Sequence, residues 1–382
     1  MFTSTLPRVH VVGANAYGYT TAILLLLQGY KVTMIASTFP GDPDYYSTTY
    51  HADDTTSHWQ TFASISDASL QRKYNTWPAM LKLTLSFSTL DLEYDSSTFK
   101  MLWKLAKCKA VESGIMIGDS FKYYQNPTED QLNPWWKHIV PGFEIIQQQE
   151  LPKDVKLGYH YTTVLINTKR YISWLQTQFL SMGGRQRKTK INKLLDAITT
   201  QDHVNIIVNC VDDLQLEASS TTQSDPSTKL CTNQWIVRAS QVRKSVNVKT
   251  KDGDMYIYPR GDGTIVVGSR RQGTSHSQEN PTDVLETLSG YCPELKWGKG
   301  LASLEIIDHH SVVKSIRNHG PRIENQFIVT PSGRKLAVTH NYGHNGYQST
   351  WGSSKRAIRL VNEAHARLEK DSQSMSELLS HL

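Results

Sequence analysis

The chain has 382 residues, enough for two domains at roughly 150 residues each, or for one domain with a large insertion. Apolar residues make up 38 % and charged residues 20 %, which excludes a disordered or collagen-like chain. Forty-one Lys and Arg against 35 Asp and Glu leave a formal charge of +6, too dilute over this length to make nucleic acid the default partner.

Cys108, Cys210, Cys231 and Cys292 lie far apart, so neither a disulfide framework nor a paired-cysteine zinc site is signalled. A reducing compartment is expected. The longest apolar run, Thr21 to Leu27, is broken by Gln28-Gly29 and falls far short of the roughly 20 residues that cross a bilayer, so no membrane span is expected.

In chain order, Val9-His10-Val11-Val12-Gly13 reads as a buried strand ended by glycine. Ala14 to Gly29 reads as a helix stopped by Gly29, and Lys31 to Ala36 as a second strand. This β-α-β unit carries Gly13 and Gly18 at the first and third positions of the dinucleotide fingerprint G-x-G-x-x-G, with Asn15 at the middle one. Ser37 stands near the place of the acidic residue that grips a ribose hydroxyl. The unit is read either as a nucleotide-binding Rossmann unit or as a Rossmann-like unit without ligand.

A turn-rich stretch follows to about Ser69, then helical periodicity from Gln71 to Ala110 in two parts. Asn133-Pro134-Trp135-Trp136 begins a turn, and Phe143 to Ile146 is a short strand. Tyr159 to Asn167 is strand-like, Tyr171 to Ser181 an amphipathic helix ended by Gly183-Gly184, and the basic run Gly184 to Lys190 a solvated strand or turn. Val204 to Cys210 reads as a buried parallel strand. Trp235 to Val267 holds several strands of an antiparallel sheet, His309-His310 reads as strand-end surface, and Arg359 to Lys370 as a C-terminal helix. His51, Asp53, Asp54 and His58 lack helical ligand spacing, so no metal site is expected.

The order of motifs resembles the D-amino-acid oxidase and D-aspartate oxidase family. The matches are the β-α-β opening, Phe39-Pro40-Gly41-Asp42 with Tyr50 and Trp59, Asn133 to Trp136, Tyr171 to Leu175, and Ile207 to Cys210. They continue through Tyr256-Ile257-Tyr258-Pro259-Arg260, Gly320 to Glu324, His340-Asn341-Tyr342-Gly343, Gly346-Tyr347-Gln348 and Trp351-Gly352. The resemblance implies an α/β fold in which a Rossmann-like FAD-binding domain is interleaved with an antiparallel-sheet substrate domain. The division expected from it assigns 1–60, 155–215 and 300–382 to the first and 61–154 and 216–299 to the second.

It also implies FAD as cofactor, a D-amino acid as substrate, and oxidative deamination giving an imino or keto acid, ammonia and hydrogen peroxide. Tyr256, Lys314 and Arg317 are then the residues that hold the substrate carboxylate, with Lys314 where the family has an arginine and Tyr258 as a weaker candidate. Val12, Gly13, Asn15, Gly18, Ser37, Thr49, Gly343, Gly346, Tyr347 and Gln348 are those that meet FAD. Ser380-His381-Leu382 resembles a peroxisomal import tripeptide, which implies an import receptor as partner and the peroxisome matrix as location. A homodimer is compatible with all of this.

The chain departs from the family pattern where the flavin belongs. Asn15, Asp212, Ala239 and Ser269 each add a Cβ at a glycine or small-residue position, and Asp53-Asp54 replaces an apolar loop surface. Two readings stand: a working FAD oxidase with an unusual site, and a peroxisomal pseudoenzyme that keeps the fold as a binding or scaffold module.

Overall fold

In the computed structural model, the described residues are 7–47, 57–61, 87–199, 202–211, 227–273, 279–298, 300–317, 320–330, 332–343 and 346–380. Arg8–Val12 (β1) is buried on both faces because Val9, Val11 and Val12 fill them, as a central parallel strand requires. Gly13 turns the chain at φ 108°, Asn15 caps the helix Ala16–Leu27 (α1), and Gly29 at φ 92° returns it to Lys31–Ala36 (β2), parallel to β1. Ser57–His58 (β3), the helix Phe87–Cys108 (α2), Ile115–Tyr124 (β4), Glu144–Ile145 (β5) and Leu157–Ile166 (β6) follow. Then come the helix Thr168–Ser181 (α3), Arg185–Lys188 (β7) and Ile206–Asn209 (β8). Ser227–Arg238 (β9), Ser245–Lys249 (β10), Asp254–Pro259 (β11) and Thr264–Gln272 (β12) precede the helix Pro281–Ser289 (α4). Glu305–Arg317 (β13), Arg322–Val329 (β14), Lys335–Tyr342 (β15) and the helix Thr350–Ser380 (α5) complete the order.

Two sheets organise these elements. The first runs β14-β15-β8-β1-β2-β7, parallel throughout except for β14, and α1 packs between it and the helices α3 and α5. The second runs β13-β9-β12-β11-β10-β4-β6-β3, with β5 on β6, and is antiparallel apart from the β10–β4 pair. The interleaved α/β architecture is the one the sequence implies. Strand membership differs from the division at 60, 155 and 300: β3, β6 and β13 hydrogen-bond into the second sheet, not the first. His309 and His310 lie inside β13 and not at a strand end, with His309 stacked on Trp235 at 5.1 Å.

Close packing joins the layers. A Cβ on Gly352 would lie 2.3 Å from the Tyr94 backbone, so α5 can cross α2 there only because that residue is glycine. Trp351 Nε1 donates to Tyr171 Oη at 2.8 Å, fixing α5 to α3. No helix among the described residues is long and apolar enough to cross a membrane.

Candidate functional site

The turn between β1 and α1 keeps its shape through two glycines. A Cβ on Gly13 would lie 2.6 Å from Val211 Cγ2, and one on Gly18 only 1.9 Å from the Gly13 carbonyl oxygen. Asn15, at the middle position, turns its side chain back on the turn. Its Oδ1 accepts the Gly18 N–H at 2.9 Å and its Nδ2 donates to the Cys210 carbonyl at 2.8 Å. One helix-terminal amide of the kind that meets a phosphate is thereby engaged internally. Val12 is buried in β1 behind the turn, and Ser37 is exposed just past the end of β2. Asp42 accepts the Phe39 N–H at 2.8 Å and pairs with Lys188 of β7 at 2.9 Å.

The segment before α5 meets this turn. The Tyr17 hydroxyl donates to the Gly346 carbonyl and lies 3.0 Å from Ser349 Oγ. Gly343 and Gly346 hold φ of 81° and 100°, conformations that suit glycine. Tyr347 and Gln348 are buried; the Tyr347 ring sits 6.1 Å from that of Tyr171, and the Gln348 carbonyl accepts Trp59 Nε1 at 3.2 Å. Trp59 thus ties the short segment holding His58, Gln60 and Thr61 to the segment before α5.

That short segment forms one edge of a cavity of about 270 Å³ on the second sheet. Lys122 of β4, Asn247 of β10, Tyr256 and Tyr258 of β11 and Arg270 of β12 wall it, with Trp135 and Trp136 alongside. Strand alternation brings Tyr256 and Tyr258 to one face, where their rings stack 4.6 Å apart. Gly268 pairs with Tyr256, and a Cβ there would lie 2.3 Å from Tyr256 Cζ, so the ring position depends on that glycine. Gln234 Nε2 donates to Tyr256 Oη at 2.8 Å. Tyr258 Oη donates to Asn247 Oδ1 at 2.8 Å, and Asn247 Nδ2 lies 3.3 Å from His58 Nε2.

Two cations face this aromatic wall. The Lys122 ammonium lies 5.6 Å from the Tyr124 ring centre and 5.7 Å from that of Trp136, and the Arg270 guanidinium 5.8 Å from that of Tyr256. Burial, reinforced by the charges of Lys122 and Arg270, holds His58 well below the ordinary imidazole range. Burial also drives the Tyr258 phenol well above its ordinary range, against the opposing field of Arg270. Asp130, Lys249 and Asp254 also line the cavity. A small anion with an adjoining polar group suits this cavity.

The sequence-derived candidates divide accordingly. Tyr256 lines the cavity, and so does Tyr258, although β11 ends at the neighbouring Pro259. Arg317 is elsewhere. It stands seven residues beyond His310, the position opposite Gln234, so alternation turns it to the other face of β13, where its guanidinium lies 5.3 Å from the Tyr342 ring and its Cδ touches Gly343. Lys314 pairs with Leu230 in the strand register, and its side chain lies outside the described residues, as do Thr49, Asp53, Asp54, Asp212, His381 and Leu382. Ser380 ends α5. Arg270 escaped the sequence reading. Counting two residues on from Gly268, the partner of Tyr256, would have placed it on the same face.

The family profile of the FAD dependent oxidoreductases (DAO) matches residues 8–360. A D-amino-acid oxidase of Schizosaccharomyces pombe is 27 % identical over 372 residues, covering 93 % of this chain and 96 % of the relative. A D-aspartate oxidase of Talaromyces thermophilus is 21 % identical over 93 % of this chain and 95 % of its own. Among solved structures, the glycine oxidase of Geobacillus kaustophilus aligns with a TM-score of 0.60 at 14 % identity over 94 % of this chain and 95 % of that one. The L-proline dehydrogenase of P. horikoshii aligns with a TM-score of 0.61 at 13 % identity over 94 % of each. With the Rossmann-type turn, the second sheet and a profile match over most of its length, the chain belongs to the family of FAD dependent oxidoreductases.

Proposed function

We propose that this protein oxidises a D-amino acid with FAD as cofactor, the substrate lying in the cavity beside Tyr256. The observation that carries this reading is the placing of Arg270 and Lys122 against the tyrosine wall of the cavity. A carboxylate entering there meets two cations and exchanges its hydration for charge-assisted hydrogen bonds. Trp135 and Trp136 shield that contact from water, which strengthens it. The D-series is supported by relatives named D-amino-acid oxidase and D-aspartate oxidase.

The residues at the first turn fit FAD in their backbone. Gly13 and Gly18 keep the tight geometry that lets a pyrophosphate approach the helix, and Ser37 is exposed where a ribose hydroxyl needs a partner. Gly13, Gly18, Ser37 and the segment from Gly343 to Gln348 would hold the cofactor. When bound, FAD would supply hydride acceptance at the substrate α-carbon and reoxidation by oxygen, the chemistry that converts an amino acid to an imino acid with release of hydrogen peroxide. The chain supplies grip at Arg270 and Lys122, and orientation at Tyr256. Peroxide release from a panel of D- and L-amino acids with added FAD tests this; release with the D-series supports it, and silence across the panel rejects it.

A second reading, a fold kept as a binding module without turnover, is favoured by the engagement of the Gly18 amide by Asn15 and of Gly346 by Tyr17. Flavin uptake by the purified chain separates the two. We further propose that Ser380-His381-Leu382 directs import into peroxisomes, tested by deleting the tripeptide from a fluorescent fusion and following its location.

A further inference from the structure

We propose that Tyr258 receives the amino end of the substrate, and that Asn247 and His58 are positioning residues which fix its hydroxyl as an acceptor. This rests on the amino-acid reading above and adds the orientation in which the ligand lies.

A phenol hydroxyl has one proton and two acceptor lone pairs. The proton of Tyr258 is committed to Asn247 Oδ1 at 2.8 Å. An amide whose oxygen is used in this way turns its NH₂ toward its other neighbour, here His58 Nε2 at 3.3 Å. An NH₂ group only donates, so Nε2 must accept, which requires a neutral imidazole with its proton on Nδ1. The surroundings keep the ring neutral, and the Asn247 amide selects the tautomer: His58 is 4 % exposed, its ring lies 4.5 Å from that of Tyr258, and both Lys122 and Arg270 direct positive charge at it. The chain of donation therefore runs one way, from Tyr258 to Asn247 to His58. Arg270 favours the same direction, because a nearby cation draws the phenol lone pairs toward itself and the proton away.

Tyr258 consequently offers the cavity lone pairs only. A carboxylate, which is all acceptor, gains nothing there and goes to the cations. An amine, which donates, is accepted. The two cations also disfavour the ammonium relative to the free amine, whose nitrogen lone pair is the one that assists loss of hydride from the α-carbon. One end-to-end orientation of an amino acid follows.

The test uses two ligands of the same shape that cannot be oxidised, 2-aminoisobutyrate and 2,2-dimethylpropanoate, which differ by an amine in place of a methyl group. Calorimetric titration of the full chain, with FAD added, should show the amine-bearing ligand bound about tenfold more tightly. Tyr258→Phe should bring the two affinities within about twofold by weakening the amine alone, leaving 2,2-dimethylpropanoate unchanged. His58→Leu should act in the same direction, and His58→Gln, whose side-chain oxygen can still accept from Asn247, should restore the preference. Equal weakening of both ligands by Tyr258→Phe, or equal affinity in the unaltered protein, would overturn the assignment while leaving the carboxylate cavity standing. Binding of neither ligand to the unaltered protein would reject the cavity reading and this assignment with it.

Discussion

Asn15 Oδ1 accepts the Gly18 N–H at 2.9 Å while the same side chain donates to the Cys210 carbonyl at 2.8 Å, so one residue both caps α1 and bridges to the end of β8. An incoming pyrophosphate competes with that cap for the helix terminus. Asn15→Gly should therefore tighten FAD binding by roughly fivefold to tenfold, as the released hydrogen bond becomes available to the ligand. Glycine at an N-cap costs only a few tenths of a kcal/mol, but the bond to Cys210 is lost with the side chain, so stability should fall by about 1–2 kcal/mol in thermal unfolding while flavin affinity rises. Titration of flavin fluorescence against both proteins gives the comparison, and an unchanged or weaker affinity would count against the competition.

Gly18 and Gly268 are tight for different reasons and should fail differently. Alanine at Gly18 would put a Cβ 1.9 Å from backbone, the Gly13 oxygen, which must move; a loss of about 2–3 kcal/mol in denaturant unfolding is expected. Alanine at Gly268 would strike the Tyr256 ring at 2.3 Å, so the ring shifts and the cavity changes shape. Carboxylate binding should weaken by more in Gly268→Ala than in Gly18→Ala, judged by calorimetry on whatever fraction of each remains folded.

The carboxylate anchor can be located by exchange. Arg270→Leu should weaken binding of a simple carboxylate by about tenfold to a hundredfold, the range for losing charge-assisted hydrogen bonds. Lys314→Arg should leave it unchanged, since the guanidinium beside Tyr256 is already Arg270. A marked gain from Lys314→Arg would return the role to that lysine.

Acid should destabilise the protein from a defined residue. His340, buried and flanked by Arg322 and Arg317, is held down to a pKa of about 3. It accepts from Asn209 at Nδ1, 3.4 Å away, and lies 3.2 Å from Gln326 at Nε2, a pattern that suits the neutral ring. A folded-state value below the unfolded one means that the unfolded chain binds the extra proton. Stability is then complete above about pH 6.5 and is lost as pH falls toward the folded value. Between pH 7.5 and 5, His340 should cost about 2 kcal/mol, and His340→Gln should flatten that part of the slope in urea titrations. His10 and His58, also lowered by burial, add in the same direction.

Local patterns in the sequence located β1, α1, β2 and β8, because valine-rich runs and a glycine stop report structure within a few residues. The same local pattern put Gly13 and Gly18 in the turn between β1 and α1, whereas Tyr256 was singled out by the family resemblance. Sheet membership was not. Whether β6 or β13 joins one sheet or the other is decided by partners far away in the chain, which periodicity does not encode. Asn15 illustrates the same limit at a single residue. Its bulk could be read from the fingerprint, but its bond to Cys210, 195 positions on, could not. Arg270 lies outside every motif and becomes visible only when the register of β11 on β12 is known.

Whether the β1–α1 turn takes up FAD is settled most directly by incubating the purified full chain with excess FAD, removing unbound flavin and recording the visible spectrum. Retention of close to one flavin per chain, tighter still in Asn15→Gly, is the result expected of a turn built on Gly13 and Gly18. A colourless protein in both cases would contradict the oxidase reading and leave the binding-module alternative.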